Sequence, residues 1–180
     1  MLKQLTIGAA LACAVGCATA PETRVEQKGL EQRASAALTT MKARDARLDE
    51  ILSRSAGYAV FPEIGKGGAI VGGAYGHGVV YQHGRPVGYV ELSQASIGAQ
   101  LGGQTFAELI VLRDHKALER LKSDNLDLGA DISAVALTTG AAGSAQFEKG
   151  VAVYVMPRGG LMVDLSVNGQ KIDYRRKPAG

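Results

Sequence analysis

The chain has 180 residues and a mass of 18.7 kDa, with 20 Lys and Arg against 17 Asp and Glu, a formal charge of +3. That length fits one domain able to bury a core, and 46% hydrophobic with 21% charged residues excludes a disordered chain and a multi-span membrane protein. The small net charge, three Phe, six Tyr and no Trp give no footing for a nucleic-acid partner.

Residues 1–16 read as a secretory signal: Lys3 is the positive n-region and 5–15 is an apolar run too short to span a bilayer as a helix. The run ends in Ala14-Val15-Gly16-Cys17, which resembles the bacterial lipobox and makes Cys17 the expected acylation site. Ala14 departs from the usual Leu, and Ala18-Thr19-Ala20 offers a rival cleavage site of the ordinary kind. Cys13 and Cys17 are the only cysteines, so neither route leaves a disulfide in the mature chain. Ala18 rather than Asp follows Cys17, which points to the outer membrane, periplasmic side. Residues 17–24 are then a tether and 25–177 a single domain.

Residues 25–53 are helical. Leu30, Ala34, Ala37, Leu38 and Met41 recur at steps of three and four, and Asp45 is placed to cap a second short helix. From Tyr58 the period changes to two. The expected strands are 58–61, stopped by Pro62, then 69–82, 87–92, an alternating 95–101, 106–112, 132–137, 151–155, 161–167 and 171–174. His83-Gly84-Arg85-Pro86 is a turn, and Asp114 caps a short helix carrying Ala117, Leu118 and Leu121. Thirteen of the 24 glycines fall between Gly57 and Gly103, where they mark bends and close backbone approach. The pattern predicts an α+β fold: a glycine-rich, mostly antiparallel curved sheet or barrel of about eight strands, with N-terminal helices and one short internal helix.

Chemical motifs are scarce. Lys66-Gly67-Gly68 is not a P-loop, because no Ser or Thr follows the lysine and no helix opens there. His77, His83 and Glu91 lack a third imidazole for a metal, and no G-x-S-x-G is present. The expectation is therefore no enzyme, no metal and no cofactor. A weak internal echo pairs 57–71 with 150–163, each unit reading strand, basic residue (Lys66, Arg158), Gly-Gly, strand. Either this is a duplicated hairpin, or it offers two backbone N–H concavities with a cation beside each, suited to phosphate.

Tyr58-Ala59-Val60-Phe61-Pro62, Lys66-Gly67-Gly68, Gly72-Gly73-Ala74-Tyr75-Gly76, Gly78-Val79-Val80 and Gln100-Leu101-Gly102-Gly103-Gln104 together resemble the signature of the SYLF domain family. The likeness runs from about Glu31 to Tyr174. It implies a module that binds phosphoinositide or other anionic phospholipid headgroups through basic side chains and an amphipathic N-terminal helix, here 30–52. In fungal members it also implies actin bundling, for which no diagnostic motif is present. The expected headgroup contacts are Lys66 and Arg158, Lys42, Arg44, Arg47 and Arg54 around the helix break, and Lys171, Arg175 and Arg176 near the C-terminus. A protein–protein adaptor and an apolar-ligand carrier are the alternatives.

Overall fold

The computed structural model describes residues 21, 23–68, 71–97, 102–129, 132–138, 141–159, 167 and 169–178. The expected signal, Cys17, most of the tether and nearly all of the 161–167 strand lie outside them.

Helix α1 (Arg24–Arg44) opens with a reciprocal cap: Thr23 Oγ1 accepts from the Glu26 amide, and the Glu26 carboxylate accepts from the Thr23 amide. Its buried stripe is Leu30, Ala34, Ala37, Leu38 and Met41, as the three- and four-residue spacing predicts. Asp45 ends it, and α2 (Arg47–Ser53) follows. Asp45 is buried and does two jobs. One carboxylate oxygen accepts from the Arg47 amide at 3.0 Å, and the other from the Ala142 amide at 2.7 Å. The helix corner is thereby fastened to a short 3₁₀ turn (Ala141–Ser144) distant in the chain.

The remaining elements are β1 (Gly57–Gly68), β2 (Val71–Gln82), β3 (Arg85–Ile97), β4 (Gly102–Leu112), α3 (His115–Lys122), β5 (Asp127–Leu128), β6 (Ala134–Ala136), β7 (Val151–Gly159) and β8 (Gln170–Arg176). The strands form one eight-stranded sheet in the order β5-β8-β3-β2-β1-β4-β7-β6, antiparallel except for β6 beside β7. The β2–β3 connection is a two-residue turn with positive φ at both His83 and Gly84, the geometry that matches strand twist. Asp114 caps α3 through the Ala117 amide.

Both faces of the sheet are buried. The outer face packs Tyr58, Val60, Val79, Tyr81, Leu109 and Tyr154 against α1 and α2. The inner face gathers Phe61, Ile64, Leu92, Ile110, Val153 and Ile172 with α3. Gln170 Nε2 on β8 donates to Glu108 Oε2 on β4 at 3.1 Å, although three strands lie between them. In a flat sheet strands four places apart stand about 19 Å from one another. The sheet is therefore curled tightly around its inner core, with β5 and β6 as its edges among the described residues.

Close approach explains two strand glycines. A Cβ on Gly78 would lie 2.9 Å from the Val60 carbonyl oxygen and 2.8 Å from the Phe61 ring, and one on Gly88 would enter the Tyr174 ring.

Several expectations are corrected. Pro62 does not stop β1: it sits at a bulge, absent from the register with both β2 and β4, where its missing N–H costs no ladder bond. The 87–92 and 95–101 segments join as far as Ile97 in the single strand β3. Lys66 and Arg158 lie within strands rather than beside turns. The two-residue β5 carried no recognisable pattern. Removing the Asp45 carboxylate (Asp45→Ala) leaves the buried Ala142 amide without its acceptor. Chemical denaturation should register a loss of about 1–3 kcal/mol, only partly recovered by Asp45→Asn, which keeps one acceptor oxygen where two amides each need one.

Candidate anion-binding groove

Between the N-terminal half of α1 and strands β1, β2 and β7 lies a cavity of about 470 Å³ whose polar lining includes Arg33, Glu63, Tyr75, His77 and Arg158. Each side chain arrives there for a local reason. Arg33 is the exposed neighbour of the buried Ala34, one turn beyond Leu30. Tyr75 and His77 alternate with Gly76 on the face of β2 that also carries Val79 and Tyr81. Arg158 is the extra residue of a second bulge: Pro157 pairs with Phe106 and Gly159 with Thr105, leaving Arg158 without an opposite number on β4.

Two guanidinium groups thus face one groove. Arg158 approaches Glu63 at 4.0 Å with both side chains well exposed, a pairing worth at most about 1 kcal/mol. The Tyr75 hydroxyl meets His77 Nε2 at 3.2 Å, and the rings lie edge to face. His77 Nδ1 is buried and has no hydrogen-bond partner among the described residues. Burial pushes the His77 imidazole below its ordinary value, Arg175 and Arg33 push the same way, and Glu91 across the β2–β3 ladder opposes them. His77 is thus held neutral at pH 7 beside fixed positive charge.

The other expected contacts are distributed elsewhere. Lys66 is buried on the inner face, two residues beyond Ile64, on the side of the sheet opposite to Arg158. Lys42 pairs with Asp49 at 2.7 Å and Arg54 with Glu50 at 2.8 Å. Arg44 is exposed at the end of α1, and Arg47 lies against Gly143. Lys171 pairs with Asp173 at 2.6 Å, Arg175 donates to the Pro21 carbonyl, and Arg176 is exposed beside Tyr174. Of the nine cations, Arg158 alone lines the groove. Arg33, Tyr75 and His77 were not among the expected contacts. His83 occupies the β2–β3 turn, away from the His77–Glu91 pair, and no cluster of three metal-ligating side chains occurs among the described residues.

Residues 93–178 match the family model described as Ysc84, Las17-binding protein actin regulator. Over those residues the chain is similar to the Ysc84 (SYLF) domain family. That description names Las17 binding and the regulation of actin. No curated protein matches the chain. The matched segment holds part of β3 and everything from β4 to β8, Arg158 included, while α1, β1 and β2 lie before it.

The His77 imidazole should titrate below its ordinary 6.5 in a proton NMR pH series. Replacing Arg33 by Gln should move the midpoint upward, because one of the opposing charges is gone.

Proposed function

We propose that the chain is a non-enzymatic lipid-binding module whose groove between α1 and the sheet receives an anionic phospholipid headgroup. The observation that supports this most directly is the convergence of Arg33 and Arg158 on one open cavity beside His77. Guanidinium groups offer forked donors that match phosphate oxygens, and an imidazole that gains a proton adds positive charge beside them. One basic side chain near an anionic surface contributes about 1 kcal/mol, so a pair with a protonatable neighbour gives selective though modest capture.

Acylation at Cys17 would supply the rest by holding the domain at the membrane. Four chain steps separate Cys17 from Pro21, a reach of at most about 14 Å. Pro21 itself is buried and bound to the domain: its carbonyl accepts from Arg175 and from the Gln27 side chain. Arg33 stands about 14 Å along α1 from Arg24, the first residue of that helix. In this reading the domain works at the periplasmic face of the outer membrane. The family description names a protein partner instead, and the adaptor reading predicts that the groove cations are dispensable.

Vesicle co-sedimentation of the Cys17→Ser chain tests the proposal. Vesicles containing phosphatidylglycerol should carry the protein down and phosphatidylcholine vesicles should not. Arg33→Gln combined with Arg158→Gln should lower binding about tenfold or more, and binding should weaken as salt rises. Equal sedimentation with both vesicle types, or an unchanged double variant, rejects the groove as a headgroup site.

A further inference from the structure

The inner face holds an ionisable group that the groove does not use. Glu108, in the middle of β4, is fully buried, and its register neighbours are Phe61 on β1 and Val155 on β7. No ion pair reaches it among the described residues. Its one hydrogen bond comes from Gln170 Nε2, across the curl of the sheet. Among the described residues that leaves two buried oxygens without partners, Glu108 Oε1 and Gln170 Oε1, one on each side chain of the same pair. With Glu108 ionised, both are acceptors, and neither can serve the other. Two unsatisfied oxygens in an apolar core are costly.

One proton resolves both. A carboxylic acid facing a carboxamide is donor and acceptor on one edge, and the carboxamide is its complement. We propose that Glu108 carries a proton on Oε1 and donates it to Gln170 Oε1, so that a doubled hydrogen bond latches β4 to β8 across the interior and loosens when the proton leaves.

The surroundings favour the neutral acid. β3 presents Leu92 and Gln94 to the inner face, α3 presents Ala117, Leu118 and Leu121, and β8 presents Ile172 and Tyr174. Among the described residues the other charged side chain buried on this face is Lys66, whose cross-strand neighbour Gln104 is four residues from Glu108 along β4, a backbone separation of roughly 13 Å. Burial pushes the Glu108 carboxyl up to about 7, with the Gln170 hydrogen bond opposing it. The folded protein then keeps a proton between about pH 4.5 and 7 that the unfolded chain has released. Stability accordingly falls as pH rises through that window and levels off above it.

Urea unfolding of the whole chain from pH 5 to 8 reads this directly. The wild-type unfolding constant should rise by up to tenfold per pH unit within the window. Glu108→Gln places a permanent donor at the same position, so its curve should lose that slope and lie above wild type in stability at pH 8. Amides of β8 should exchange faster in wild type than in Glu108→Gln at pH 8, and equally at pH 5. A carbon NMR titration of the wild-type Glu108 carboxyl needs no variant. A midpoint near 7 supports the latch, and one near the ordinary 4.5 overturns it, as would identical pH slopes or identical pH 8 exchange in the two proteins.

Discussion

Burial of a single sheet on both faces is the constraint from which the rest of this molecule follows. A chain of this size has too few helices to cover eight strands on two sides, so the sheet covers one of its own faces by curling around it. The contact between Glu108 and Gln170 shows how far that curl goes. Glycine makes it feasible: at Gly78 and Gly88 the space a side chain would take is filled by a backbone carbonyl, a Phe ring or a Tyr ring. The glycine content that marks the chain on first reading is therefore the consequence of tight curvature rather than of flexible linkers.

The helices take the face that curling leaves open, and the groove is where their cover ends. Leu30 closes the apolar contact, while Arg33, next to the buried Ala34, stands at its border over Tyr75 and His77. A cleft at the boundary between a packed helix and a sheet has secondary structure for walls on both sides. The groove positions charge without having to order a loop first.

Much of this architecture was legible because it depends on periods. The three- and four-residue spacing in α1, the β run that becomes β2 and the Asp114 cap all survive in the structure as read. The site was less legible, because bulges decide it. At Pro62 and Arg158 one extra residue shifts the alternation, so counting in twos assigns the wrong face or ends the strand too soon. Lys66 and Arg158 look equivalent in sequence, each before a Gly-Gly pair, yet one points into the core and the other into the groove. Tyr75 and His77 could have been found, since they share a face with Val79 and Tyr81. Arg33 carried no signal beyond being polar on a helix.

The two ends of the domain are also joined. Arg175 holds the Pro21 carbonyl, and Lys177 and Tyr89 both bond the Glu31 carboxylate on α1. Burial would raise the Glu31 carboxyl, but those hydrogen bonds outweigh it and hold it below its ordinary value. A mechanical pull applied at the N-terminal end is thus passed directly to the last strand. That strand is held to β3 by a seven-residue antiparallel ladder, so a load on it is shared among many hydrogen bonds.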